Sequence, residues 1–442
     1  MKVVQTICAV AVGIAISVTC NSASYAQGRV QARLIWQDTS TQSLWWGDLK
    51  KGSKWSIKKE TVEKQPKLDA DRQMFVQMQP HGDIALVGVR DDDDGNFNSG
   101  WFAIHSGVTK DSHGDHFHWH YSAAPSVKVS KLDKKQGNPA HVYLYEGGFY
   151  IANDKKNGFT HVAPKMLGNA KQADRFYKAG GGHITLAAVN GKVAYSTWID
   201  RAGENEGRVD VVGLGSEGKG YHFHLPSGGI HGATTNSGKV FFAPADGICW
   251  VSADTQLKQT EDSVDVFHIS LGENSEGTPK RTGAFVNQGS HVLFTVGGNE
   301  LCMLDAASAK PSVQSLDIEV KEGSRLTTPK LIQSRTGGKF AMLFEESPSG
   351  DNEELLHIVS LDPNRDGKFD DAMIKKTIKT GKSLIEGHSG HHEAVALSKK
   401  YVAVTNPGDG TLSIISTSSW EVEATLDVEG TPTRLVSFGG VE

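Results

Sequence analysis

Cysteine is scarce in this 442-residue chain: there are four, and Cys8 and Cys20 both fall in an apolar N-terminal stretch. That count and the length exclude a small disulfide-stapled scaffold and leave room for a large buried core. Beyond the N-terminus no run approaches the roughly 18 apolar residues a membrane helix needs. Apolar repeats at i, i+3 and i+4 are almost missing, so a helical bundle is excluded as well. Basic residues are not in excess, with Lys+Arg 46 against Asp+Glu 51 and a net charge of −5, which argues against a nucleic-acid partner. The chain has no Ser nucleophile elbow, no H-E-x-x-H, no phosphate-cradling glycine loop and no persuasive carboxylate pair, so it reads as a non-enzyme. What it has in quantity is glycine, 49 residues, and histidine, 18 residues.

Residues 1–26 run from Lys2 through the apolar stretch Ala9 to Val18 to Ser24-Tyr25-Ala26, a small-x-small site before Gln27. This is the pattern of a cleaved secretory signal, with 27–442 as one mature domain. Thr19 before Cys20 does not fit a lipoprotein acceptor. The expectation is a monomeric periplasmic protein that neither spans nor docks on a membrane. Cys249 and Cys302 each lie in a strand-like run, and in an oxidising compartment both a bridge between them and two separate buried thiols remain open.

Short runs of Val, Ile, Phe, Tyr and Ala alternate with Gly, Asn and Asp clusters along the chain, which predicts an all-β protein. A larger unit recurs: apolar strand, glycine turn, apolar strand, longer turn, third strand, then a more polar fourth. His183 to Val189, Lys192 to Trp198 and Arg208 to Val212 make one such set; His392 to Leu397, Tyr401 to Asn406, Thr411 to Ile415 and Glu421 to Leu426 make another. First strands are expected near 72–78, 141–145, 183–188, 231–235, 283–287, 327–332, 392–397 and 432–438. The last has no partners after it, and the strands beginning at Val30, Leu44 and Trp55 have no first strand before them. Joining the two ends completes a blade and removes an open sheet edge. The sequence therefore predicts a β-propeller of eight four-stranded blades, with seven as the alternative. Tyr401 to Leu426 resembles the blade motif of YVTN-type propellers, which bears on fold alone.

First strands line the channel of a propeller, and the residues that open them form a ring at one mouth. His141, His183, His231 and His392 take that position on the expected strands, with His391 and Glu393 as neighbours that could donate instead. Convergent imidazoles suit zinc or copper, and tetrahedral zinc takes about four donors. Asp71 could add a carboxylate, whereas His291 starts a second strand and reads as structural. A second cluster, His113-Gly-Asp115-His116-Phe-His118-Trp-His120, is dense enough to capture a borderline metal. Alternatively Phe117 to Tyr121 is an outer fourth strand with alternate His exposed, as His222-Phe-His224 and Phe267-His268 are expected to be. Asp362-Pro-Asn364-Arg-Asp366-Gly367 has the opening of a calcium loop but lacks its closing Glu, so a turn between strands is expected. Asp91 to Asp94 reads as a solvated acidic loop.

His113-x-Asp115-His116-x-His118 resembles the H-x-D-H-x-H motif of the AztD-like periplasmic zinc metallochaperones, and the leader, length and propeller pattern agree with that family over the mature chain. The resemblance implies Zn2+ as the metal and, as partner, the periplasmic solute-binding protein of a zinc ABC transporter. Two other readings stay open from the residues: a metal-dependent propeller enzyme, and a metal-free adhesion or scaffold propeller.

Overall fold

The computed structural model describes residues 28–91, 98–114, 116–167, 174–215, 220–387 and 389–440. The expected leader, Asp92 to Asp94 and Asp115 therefore lie outside the described residues. Eight four-stranded antiparallel sheets are arranged as blades, two of them with one extra or divided strand, and the only helical pieces among the described residues are 3-10 turns. Blade one runs inner to outer through Gln73–His81, Ile84–Asp91, Ser99–His105 and Ser126–Asp133. Blades two, three and four begin with Pro139–Tyr145, Leu186–Val189 and Ala233–Asn236. Blades five and seven begin with Val286–Gln288 and Ala394–Ala396, and blade six has a divided inner strand, Arg325–Leu326 and Lys330–Gln333. Blade eight is assembled from both ends of the chain, because Pro432–Phe438 pairs antiparallel with Arg29–Asp38. The expected count of eight and the closure are what the structure shows. Closure replaces two loose sheet edges with a hydrogen-bonded ladder.

Every strand side chain must face one neighbouring blade or the other, since successive residues alternate across a strand. The core follows that rule: eight apolar clusters each bridge one pair of adjacent blades. Phe241 packs towards blade five with Trp250, Val292 and Phe294, while Phe242 packs towards blade three with Tyr195 and Phe223. This accounts for middle strands that are apolar at consecutive positions, such as Val240-Phe241-Phe242. Inner strands of successive blades touch around most of the ring, including Pro432–Phe438 of blade eight against Gln73–His81 of blade one, so they line a common axis.

Three local expectations are settled by this frame. Phe117 to Tyr121 is not the fourth strand of blade one. That place is taken by Ser126–Asp133, and among the described residues His116–His120 pairs only with Thr109–His113, in a separate two-stranded sheet inserted before it. Cys249 and Cys302 are free thiols, both fully interior, and they belong to different clusters. The 362–371 segment is a turn between Leu355–Ser360 and Met373–Lys379, with Asp362 beside Lys339 Nζ at 3.4 Å and Asp366 and Asn364 bonded to backbone N–H groups within the loop.

Candidate metal centre

Blades two, three and four are consecutive, so residues at the same end of their inner strands are brought close. His141 lies in the first strand of blade two; His183 and His231 lie just before those of blades three and four. The Nε2 atoms of His141 and His183 are 2.9 Å apart. Ring centroids are separated by 4.7 Å for His141–His183, 5.1 Å for His183–His231 and 6.3 Å for His141–His231. Two imidazole nitrogens on one tetrahedral zinc stand about 3.3 Å apart for Zn–N of about 2.0–2.1 Å. The first pair is already near that spacing; the three rings together do not bring one ligand atom each within 4.8 Å of the others.

Hydrogen bonds fix which nitrogen of two rings carries the proton. Asp154 Oδ2 is 3.0 Å from His183 Nδ1, and a carboxylate only accepts, so Nδ1 is the protonated atom and Nε2 keeps its lone pair. Asp154 is itself held, accepting from the Ile184 N–H at 3.1 Å and lying 3.8 Å from Arg90 Nη1. His231 Nδ1 faces the Gly283 carbonyl at 3.3 Å, with the same consequence. Burial, with the neighbouring His183, pushes the basicity of His231 below its usual value and favours neutral imidazole, the form that binds metal.

Two tyrosines follow His141 along its strand. His141, Tyr143 and Tyr145 alternate along one strand and therefore share a face. Tyr143 and Tyr145 stack at 6.2 Å, and the Tyr145 hydroxyl lies 2.9 Å from the Leu186 carbonyl and 3.2 Å from that of Ala233, bracing blades two, three and four together.

His392 and His391 are not with these three. Blade seven lies across an eight-membered ring from blade three, and His392 is enclosed there, stacked on Phe344. Its Nδ1 is 2.6 Å from the Thr405 carbonyl and its Nε2 is 2.8 Å from Glu354 Oε2. Burial works to raise the Glu354 carboxyl, but hydrogen bonds from His392 and Ser383 bring it down to about 2, so it is ionised. With Nδ1 against the Thr405 carbonyl and Nε2 against the Glu354 carboxylate, both ring nitrogens of His392 are already engaged inside the protein. His391 Nδ1 is 2.6 Å from Glu346 Oε2, and its ring borders a small cleft with Gln37, Phe75 and Arg434. Glu393 is engaged by Lys330 and lies 3.6 Å from Arg434 Nη1. Asp71 is exposed, its N–H bonded to Asp69 Oδ1 at 3.2 Å. His291 is buried and stacked on Phe369, as a structural residue would be.

The second cluster is an exposed hairpin. Alternation sends Phe117 and Trp119 to one face, where Lys110 Nζ sits 3.6 Å from the Phe117 ring centroid and Trp119 packs on the core between blades eight and one. On the other face His113 and His118 have ring centroids 5.5 Å apart. Asp111 Oδ2 is 3.1 Å from His113 Nε2 and 3.9 Å from His120 Nε2. His116 lies in the same strand. Asp111 and Asp154 were not legible as site residues in the sequence. The only available signal for Asp111 was its placement two residues before His113, on the same face of a strand.

No protein-family model matches the chain, and no curated protein matches it. Among solved structures the chain is similar to AztD from Citrobacter koseri, with a TM-score of 0.65 and 13% identity over 93% of this chain and 99% of that one. Apo AztD from the same organism gives a TM-score of 0.63 at 13% identity, over 93% of this chain and 99% of that one. At this identity the likeness is one of fold, and the fold is that of the protein whose family the H-x-D-H-x-H motif resembles.

Proposed function

We propose that this protein is a periplasmic zinc metallochaperone: it holds zinc as cargo at His141, His183 and His231 and passes it to the solute-binding protein of a zinc ABC transporter. The observation that carries the reading is the convergence of three imidazoles from consecutive blades, two of them with Nδ1 pinned so that Nε2 carries the lone pair. Zinc is a borderline cation for which neutral imidazole is a preferred ligand. The motif resemblance and the fold likeness to AztD support the transfer role and the partner, and nothing in the donor set calls for turnover of a substrate.

The exposed hairpin would take up the ion and hand it on by stepwise ligand exchange, so that no bare ion forms. His113, His116, His118 and His120, with Asp115 of the motif and Asp111 beside them, supply the donors. Acid releases the metal, because each imidazole must be neutral to bind.

The test is metal content by mass spectrometry of protein purified from its own periplasm, alongside the His183→Ala, His231→Ala double variant. Near-stoichiometric zinc that the variant loses is the expected result. No metal in either protein would overturn the proposal in favour of a scaffold propeller, and a substrate turned over only by the metal-loaded form would replace transfer with catalysis.

A further inference from the structure

A second constellation lies at the rim of the ring. His222 and His224 sit two apart in Gly220–His224, the outermost strand of blade three, and the period of two puts both on one face. Their ring centroids are 5.9 Å apart. Glu261 comes from blade four, on the 3-10 turn Glu261–Ser263 that precedes its outer strand Phe267–Ile269. One ligand atom from each of His222, His224 and Glu261 lies within 4.8 Å of the others, and among the described residues this is the one group of three that meets that spacing. His222 Nε2 is 3.3 Å from Glu261 Oε2.

The carboxylate is presented by a braced turn. Thr260 N–H donates to Ser263 Oγ at 2.7 Å, the Ser263 hydroxyl donates back to the Thr260 carbonyl at 3.0 Å, and Gln259 N–H donates to Asp254 Oδ2 at 2.8 Å. Tyr221, beside His222, ties that loop to blade three by donating to Gln259 Oε1 at 3.1 Å. His224 Nδ1 lies 2.8 Å from the Glu206 carbonyl, so Nδ1 carries the proton and Nε2 keeps the lone pair, the arrangement that orients metal-binding histidines.

We propose that His222, His224 and Glu261 form a second, peripheral site for a borderline divalent cation such as zinc, joining blades three and four. Three protein donors leave a coordination position for water. The side chains of His222 and Glu261 are 41% and 53% exposed, so the ion exchanges readily with solution. This site does not depend on the central reading: it uses different residues on the outer edge of the ring.

Calorimetric titration of the purified protein with zinc chloride alone tests it, using wild type, His222→Ala with His224→Ala, Glu261→Gln, and His183→Ala with His231→Ala. The rim double variant is expected to lose one equivalent of zinc while keeping the tight one, and Glu261→Gln to weaken that same equivalent. Each of these residues is exposed or half-buried, so folding is kept, which circular dichroism checks. A rim double variant whose titration superimposes on wild type overturns the proposal, because His222 and Glu261 are then only an ion pair. Failure of the central reading would show separately, as no loss in the His183→Ala, His231→Ala protein.

Discussion

Asp154 holds His183 by its Nδ1, 3.0 Å away, and so turns the opposite nitrogen of the ring towards His141. A carboxylate behind a metal-binding imidazole fixes the tautomer and raises the donor strength of the far nitrogen. Asp154→Asn keeps the shape and removes the charge. Zinc affinity at the centre should fall by about 10–100-fold, the usual cost of losing such a partner. Competition with a chromophoric chelator measures it, and unchanged affinity would remove Asp154 from the site.

His392 and His231 should fail in different ways. His392→Ala removes the imidazole from the enclosed Glu354 carboxylate, which keeps its hydrogen bonds from Ser383 and Ser347, a change that typically costs about 1.5–3 kcal/mol. Chemical unfolding should show that loss with central zinc binding retained at low temperature. His231→Ala should show the reverse, metal lost and stability nearly kept. Loss of zinc with no loss of stability in His392→Ala would place that ring among the ligands.

Stability should fall on the acid side in two steps of the same sign. Glu354 is held at about 2 in the folded chain against an ordinary 4.5, so its contribution is present above about 4.5 and drains away as pH falls towards 2. His231 is depressed below its ordinary 6.5, so the folded chain resists its protonation and loses stability as pH drops below that value. Unfolding free energy measured against pH should decline across both windows, and Glu354→Gln should flatten the lower one. An unchanged profile in Glu354→Gln would remove the carboxylate from this account.

Burial pushes the thiols of Cys249 and Cys302 up to about 12. Thiolate is the reactive form, so neither should react with a disulfide reagent at neutral pH while the protein is folded, and both should react in denaturant. Rapid labelling of the native protein would contradict their enclosure.

Removal of the hairpin spanning 109–120 should slow zinc transfer to an acceptor protein and leave the central ion bound. Among the described residues its strands pair with each other and with no blade, so the blade ladders are kept while the packing of Trp119 on the core between blades eight and one is lost. Loss of all zinc on deletion would end the division of labour between capture and holding.

The all-β class, the eight blades and the terminal closure could be read from sequence, because alternation and turn spacing are local signals; of the histidines expected to open inner strands, His141 lies in one, whereas His183 and His231 lie just before theirs. The same pattern put His392 in register with them and could not tell it apart. Which imidazoles meet depends on angular position around the ring: blades two, three and four are neighbours, whereas blade seven lies across the channel. The partners that set each ring's chemistry are remote in the chain, Asp154 lying 29 residues before His183 and Glu354 lying 38 before His392. The rim site shows the same split. Period two alone aligns His222 with His224, but Glu261 reaches them only because blade four folds against blade three. Sequence therefore determined the strands and which residues each would offer. Tertiary structure decided which offers converge, since that rests on the ring's rotation and on loops from other blades.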